Sequence, residues 1–398
     1  MGFTKLQLHP NLLKSIQRMG FTVPTPIQEK CIPEIIAGKD VVGHSLTGSG
    51  KTAAFGLPIL QGVTHGKGVQ ALILTPTREL CDQDATTLRE FGKFMFVHTT
   101  AVFGGVGLQP QMNELRTADI VVGTPGRILD HLERRTIDLR NVRFLVLDEA
   151  DKMFEMGFIE DVEKIISQVP KQRQTLLFSA TMSSDVYALI TKHLHAPVVI
   201  KEQIYVDKSL LRQVYYGIRQ DEKFSVLVHL LKHKTPGLAI VFCATRREVD
   251  IVTKNLKMQG IHVMAVHGGL SQNKRLHAVD SLKKENIQVL VATDVAARGL
   301  DIHNISHIYN YDVPKTSGEY VHRIGRTARA GNKGEAVTLL VERDHDNFRN
   351  VLMDHTLQIQ KEETPVFQRI RFIRNILEYR DRGRGSFRPR FGPQTRRR

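Results

Sequence analysis

The chain is short of cysteine, has no long apolar run and carries fewer acidic than basic side chains. The three cysteines, Cys31, Cys81 and Cys243, are far apart and odd in number. That excludes a disulfide framework and fits no zinc spacing, so they read as reduced, mostly buried small hydrophobes. No apolar stretch approaches the roughly 18 residues of a membrane span. The start, Met1-Gly2-Phe3-Thr4-Lys5-Leu6, has neither the apolar run of a signal peptide nor, with Leu6, the Ser or Thr of a myristoylation signal. The expected address is the cytoplasm, with no membrane involvement. Acidic residues number 41 against 56 Lys and Arg, a net +15. Such a balance favours a polyanionic partner without separating RNA, DNA and anionic membrane. At 398 residues the chain exceeds one ordinary core and suits two domains with a tail.

The residues that are present organise around Phe144-Leu-Val-Leu-Asp-Glu-Ala-Asp151. Four apolar residues predict a buried parallel strand that delivers Asp148 and Glu149 at its C-terminal end, where open α/β sheets keep their chemistry. A lone Asp-Glu pair is ordinarily a solvated turn, so the rest of the chain decides. Val41-Val42-Gly43-His44 predicts a strand running into Ser45-Leu-Thr-Gly-Ser-Gly-Lys-Thr52, and Ala53, Ala54, Phe55 and Leu57 open a helix. Strand, glycine loop, Lys-Thr and helix form the context of a phosphate-binding loop. Backbone N–H groups from Thr47, Gly48, Ser49 and Gly50 would cradle phosphates, Lys51 would reach the β and γ phosphates, and the Thr52 hydroxyl would ligate Mg²⁺. Further upstream, Pro24 and Pro26 predict an extended loop that sets Gln28 in fixed relation to Phe21. A Gln amide carries both a donor and an acceptor, as reading an adenine edge requires.

Four more apolar runs end in polar or glycine-rich residues, at 71–80, 99–105, 119–127 and 175–181, and alternate with helical segments such as Val162 to Ile166. They predict a doubly wound parallel sheet whose strand ends share one rim. Thr77, Arg78, Gly105, Thr124, Gly126 and Arg127 stand on that rim. Taken one by one they are turn or cap residues; as a recurring set they suit a phosphodiester backbone. The pattern loosens from Ala196 to Leu211, which places a linker near Ile204 to Leu210. A second parallel series follows, with strands at 238–245, 263–269, 288–294, 307–311 and 336–341. It has no phosphate-binding loop, so its strand ends must serve a site shared with the first half.

His322-Arg-Ile-Gly-Arg-Thr-Ala-Arg329, taken as a helix, puts His322, Arg326 and Arg329 on one face and Arg323 elsewhere. Alone this is a solvated basic helix; facing a nucleotide, the arginines would stabilise the departing γ-phosphoryl. The last 30 residues hold eleven Arg against Glu378 and Asp381. After about residue 381 the composition cannot bury a core and predicts a disordered tail that makes unspecific RNA contact.

Together these stretches resemble the DEAD-box family of ATP-dependent RNA helicases over about residues 3 to 345. The resemblance rests on Phe3, Gly20 to Gln28, the loop 45–52, Pro76 to Leu80, Gly104-Gly105, Thr124 to Arg127, Asp148 to Asp151, Ser179-Ala-Thr181, Val241-Phe-Cys, Gln272 and Arg275, Ala292 to Asp301, and His322 to Arg329. It implies two tandem RecA-like domains, at 1–205 and 211–365, joined by a linker at 206–210 and followed by an Arg-rich tail at 366–398. By the same resemblance Phe21 and Gln28 select adenine, Lys51 and Thr52 hold phosphate and Mg²⁺, Asp148 holds the metal and Glu149 handles the attacking water. Arg326 and Arg329 become arginine fingers, and Asp301 contacts the ribose. Ser179, Thr181 and His322 couple the ATP site to domain closure, and Asp151 serves hydrogen bonding between motifs. The RNA set gains Thr245, Gly269, Arg275 and Thr293 from the second half.

Three positions depart from the family pattern: Ser45 for Ala and Leu46 for Gln at the outer edge of the loop, and Ala328 for Gly, which adds a methyl group. The implied activity is RNA-stimulated ATP hydrolysis coupled to local, non-sequence-specific unwinding of short duplexes or RNP remodelling, by a monomer with possible RNP or ribosome-assembly partners. An ATP-locked RNA clamp within a larger assembly and a DNA-directed motor are the alternatives. Asp148 to Asp151 and the adenine-reading loop speak against the last.

Overall fold

The structure is a computed structural model, described here for residues 2–45, 49–201, 210–235, 237–297, 305–328 and 332–374. Its first sheet contains β1 (Val41–His44), β2 (Ala71–Leu74), β3 (Thr99–Val102), β4 (Ile120–Gly123), β5 (Phe144–Leu147), β6 (Gln174–Ser179) and β7 (Val198–Lys201). The second contains β8 (Leu211–Gly217), β9 (Leu238–Phe242), β10 (Val263–Val266), β11 (Val289–Ala292), β12 (Ile305–Asn310), β13 (Gly334–Leu340) and β14 (Gln360–Glu362). Strand order is β3-β4-β2-β5-β6-β1-β7 in one and β10-β11-β9-β12-β13-β8-β14 in the other. Adding seven to each number of the first order reproduces the second, so the two domains share one topology. Every strand pairing is parallel.

The central strands are apolar throughout because helices cover both faces. On β2, Ala71 and Ile73 pack into one core with Phe55, Leu88 and Phe178, while Leu72 and Leu74 pack into another with Leu145, Leu147 and Leu177. On β9, Ala239 and Val241 separate from Leu238, Ile240 and Phe242 in the same way. Each fully buried Leu, Ile or Phe contributes about 1.5–3 kcal/mol by leaving water. The strands that the sequence pattern does not predict are β7, β8 and β14. They lie beside or at the sheet edge; β7 and β8 mix buried with exposed residues, and Gln360-Lys-Glu362 has neither a buried nor an apolar residue.

The segment expected to begin the tail instead follows β14 back over the second domain. Phe367, Ile370 and Phe372 pack on its core, the Ile370 N–H donates to Ser225 Oγ at 3.0 Å, and the Ile373 N–H donates to Asn255 Oδ1 at 2.9 Å. The apolar residues among the arginines account for the difference. The stretch expected to be disordered, after 381, lies outside the described residues, as does the linker apart from Leu210. The three cysteines are buried and unbridged, and among the described residues no helix is long and apolar enough to cross a membrane.

Candidate active site

The helix Lys51–Gly62 follows β1 directly, with Gly50 as its N-cap at φ +94°. A Cβ on Gly50 would also stand 2.2 Å from Gln28 Nε2, so this position requires glycine both for its backbone and for its neighbour. Gln28 is not in a loop. Pro26 opens the helix Pro26–Ile36, where a missing N–H costs nothing, and Gln28 is its third residue. The Gln28 side chain is buried, accepts from the Thr25 N–H at 3.0 Å and donates to the Gly50 carbonyl at 3.1 Å. Phe21 is 42% exposed, its ring 6.0 Å from that of Phe91. Ser45 is not at an outer edge but fully buried: its N–H donates to the Ser179 carbonyl and its hydroxyl accepts from Ser49 at 3.0 Å. Leu46, Thr47 and Gly48 lie outside the described residues.

Lys51 Nζ lies 3.6 Å from Asp148 Oδ1, both side chains being almost wholly buried. Burial works against the ammonium charge, but Asp148, Glu149, Asp151 and Asp84 raise its pKa above the ordinary value. Burial pushes Asp148 up, with Lys51 acting against the shift. Glu149 ends lower than an ordinary glutamate although burial opposes this, because Lys51, Arg326 and His322 favour its charge. Its backbone has φ +51°, a left-handed conformation that costs a residue with a Cβ about 1–3 kcal/mol and is concentrated at functional sites. That bend lets the Glu149 N–H donate to Asp148 Oδ1 at 3.0 Å. The Thr52 hydroxyl donates to Asp84 Oδ1 at 2.9 Å, and burial, with Asp148 nearby, pushes Asp84 well above the usual carboxylate range.

Asp84, Asp148 and Glu149 thus surround one ammonium, and Asp84 Oδ2 is buried with no hydrogen-bond partner among the described residues. Hard oxygen donors in excess of cations fit Mg²⁺. Among the described residues no group of three or more His, Cys, Asp or Glu side chains is arranged to hold a metal ion.

The second domain reaches this site through the helix Ser317–Ile324. Asp151 Oδ2 accepts from both the N–H and the hydroxyl of Thr181 at 2.9 Å, and His322 Nε2 lies 3.4 Å from the same oxygen. Burial lowers the His322 pKa, with Asp151 and Glu149 acting against the shift; Asp151 is held low, against its burial, by these contacts. Ser179 donates to the Thr181 carbonyl at 2.7 Å and accepts from the Asp151 N–H, so three expected coupling residues form one network. The helix expected through Arg329 stops at Ile324, with Gly325 as its C-cap. Arg326 therefore sits in the following turn, buried and close enough to favour the Glu149 charge. Arg323 does point elsewhere, into its own domain, where it pairs with Asp294 at 2.6 Å and donates to Asn310 and the Asp312 carbonyl. Ala328 has φ +53°, so the departure at this position strains the backbone as well as adding a methyl group. Asp301 and Arg329 lie outside the described residues.

The rim residues other than Gly105 and Gly269 fall on two adjoining grooves between the domains. Thr77, Arg78, Thr124, Gly126, Arg127 and Arg275 line one of about 480 Å³, and Thr245 and Thr293 line one of about 650 Å³; Met156 and Val295 border both. Thr77, Thr124 and Thr245 are N-caps of the helices that follow their strands. Gly105 has φ +84°, and a Cβ there would stand 2.0 Å from Arg78 Nη1, so the Arg78 guanidinium occupies the space a side chain would take. The Gly269 N–H donates to His267 Nδ1 at 3.1 Å. Two expected phosphate grips are engaged inside the protein. Arg127 donates to the Val106 carbonyl and Gln111, and Arg275 forms a 2.7 Å ion pair with Glu79 across the domains.

A DEAD/DEAH box helicase model matches residues 25–189 and a helicase conserved C-terminal domain model matches residues 222–331. The ATP-dependent RNA helicase CshA of Listeria monocytogenes is 45% identical over 368 residues, which cover 92% of this chain and 71% of that protein. This chain belongs to the DEAD-box helicase family. The CshA of a Bacillus cereus strain is likewise 45% identical, over 88% of this chain and 67% of its own. Among solved structures, S. cerevisiae Dbp5 bound to RNA and ADP BeF3 superposes with a TM-score of 0.82 at 31% identity, covering 91% of this chain and 96% of its own. A DEAD box protein from Methanococcus jannaschii is 40% identical over 91% of this chain and 99% of its own, yet its TM-score is 0.57. The better superposition thus goes with the RNA-bound relative and not with the more similar sequence.

Two residues of this DEAD-box helicase escaped the sequence reading. Asp84 shares the core-facing stripe of the helix Arg78–Phe91 with Leu80, Cys81, Ala85 and Leu88; an acid at such a position was the available signal. Arg246 follows Thr245 as Arg78 follows Thr77, and a Cβ on Gly268 would stand 3.1 Å from its guanidinium. The repeated Thr-Arg was the signal there.

Proposed function

We propose that this ATP-dependent RNA helicase hydrolyses ATP at the junction of its domains and uses the closed arrangement to bend bound RNA and open short duplexes locally. The observation that carries the reading is the meeting of Glu149 and Asp151 with Arg326 and His322 across the cleft. Lys51 stays protonated and faces the phosphates. Glu149 stays ionised and is positioned to orient the attacking water and take its proton. Arg326, with Arg329, stabilises charge on the transferring phosphoryl group. Thr52 and Asp148 would hold Mg²⁺, which when bound neutralises phosphate charge. Gln28 and Phe21 select adenine, Gln28 exchanging bonds it now makes to Thr25 and Gly50.

RNA lies along the two grooves, gripped through phosphates and 2′-hydroxyls and therefore with little sequence preference. The net positive charge favours a nucleic acid, and the family's 2′-hydroxyl contacts favour RNA over DNA. The Arg-rich end adds unspecific contact, so removing residues 381 to 398 lowers RNA affinity and flattens its salt dependence. Steady-state ATP turnover measured with RNA, with DNA and without nucleic acid tests the reading. Stimulation by RNA alone is expected; equal stimulation by DNA, or turnover indifferent to both, overturns it.

A further inference from the structure

We infer that Asp84 is a positioning residue of the nucleotide site, holding the Thr52 hydroxyl so that its oxygen is left free to meet a divalent cation. This rests on the reading of Thr52 as a metal ligand. A threonine hydroxyl has one proton to donate and two lone pairs. Near a helix start that proton has competing backbone acceptors, and a hydroxyl turned to one of them points its lone pairs away from the phosphate loop. Here the proton goes to Asp84 Oδ1 at 2.9 Å. The oxygen then acts only as an acceptor, its lone pairs left for a cation.

The contact is set by helix packing. A Cβ on Gly56 would stand 2.5 Å from Leu88 Cδ2, so the helix Lys51–Gly62 lies close on Arg78–Phe91. Thr52 and Asp84 are each one turn before that crossing.

The second domain indicates that the fold itself does not need this acid. Its helix Arg246–Met258 follows β9 as Arg78–Phe91 follows β2, and the residue in Asp84's place is Val252, fully buried. Its helix Lys223–His233 follows β8 as Lys51–Gly62 follows β1, and Phe224 stands in Thr52's place. Where no nucleotide is bound, an apolar pair occupies both positions. Where one is, the pair is hydroxyl and carboxylate, and one carboxylate oxygen stays unpartnered although buried.

Asp84→Val, which copies the second domain, and Asp84→Asn, which keeps an acceptor oxygen, test the inference in the full chain. The measurement is affinity for a fluorescent non-hydrolysable ATP analogue in Mg²⁺ and in EDTA, with thermal unfolding alongside. Losing an outer partner of a metal ligand lowers metal affinity by about tenfold or more. Asp84→Val is therefore expected to lose about that factor in Mg²⁺ and nothing in EDTA, with Asp84→Asn in between and Asp84→Val adding nothing to Thr52→Ala. Equal losses in Mg²⁺ and EDTA, or wild-type affinity in both variants, overturn it. If Asp84→Val does not fold, Asp84→Asn decides by the same comparison. Wild-type protein that binds the analogue no better in Mg²⁺ than in EDTA would overturn the metal reading of Thr52 as well.

Discussion

The two domains place a lysine and an aspartate at the same point of the same topology and use them differently. Lys51 opens the helix after β1 and faces Asp148 after β5; Lys223 opens the helix after β8 and faces Asp312 after β12. Lys223 donates to Asp312 Oδ1 at 2.9 Å and lies 3.6 Å from Asp344, while Asp312 also accepts from the Ala244 N–H and Arg343. Lys223 and Asp312 are thus hydrogen-bonded within the protein, although Asp344 Oδ2 makes no hydrogen bond among the described residues. In the first domain the separation is 3.6 Å, Lys51 Nζ makes no hydrogen bond within the described residues, and three acids surround it. A buried ion pair that is complete within the protein is a structural element. One whose charges and polar atoms are incompletely matched awaits a ligand.

The comparison can be broken first at the acid that only one domain possesses. Glu149→Gln is expected to lower ATP turnover by about 10²–10⁴-fold while nucleotide and RNA binding persist; loss of nucleotide affinity instead would make Glu149 a binding residue. Next come the lysines themselves. Lys223→Met should cost about 3–5 kcal/mol of stability by stranding Asp312, measured by urea unfolding. Lys51→Met should abolish nucleotide binding, which Lys223→Met leaves intact. Reversed outcomes would reverse the assignment of the two pairs.

His322→Ala removes the second domain's contact to Asp151. It should reduce RNA stimulation of turnover by about tenfold, within the usual range of coupling between sites, with ATP affinity in the absence of RNA unchanged. The smallest effect concerns Ala328. Its φ of +53° strains a residue with a Cβ by about 1–2 kcal/mol, so Ala328→Gly should raise the unfolding midpoint by a few degrees at most, offset by glycine's greater freedom when unfolded.

Much of this was legible in the chain because the signals were local. Central strands announce themselves as apolar runs, and a phosphate loop is contiguous from Ser45 to Thr52. What was not legible depends on partners far away in sequence. Gln28 belongs to a helix because Pro26 is a favourable first helical residue, which the proline count alone did not distinguish from a turn. The helix from Ser317 ends at Ile324 because Gly325 caps it, which moves Arg326 off the helical face that periodicity gave it. Arg275 meets Glu79 only once two domains come together. Edge strands such as β14 carry no apolar pattern because their neighbour is on one side only.

Asp151 Oδ2 has one further consequence, for how the molecule lets go. Its two hydrogen-bond donors, the Thr181 N–H and hydroxyl, belong to its own domain. Parting the domains removes only His322, a longer contact of 3.4 Å, and leaves the carboxylate hydrated and doubly bonded. Opening exposes no orphaned charge at this joint, so the latch resists release only weakly. On the proposed reading of Arg326, the departure of a single phosphate, and with it the charge that this guanidinium faces, can then decide which way the hinge falls.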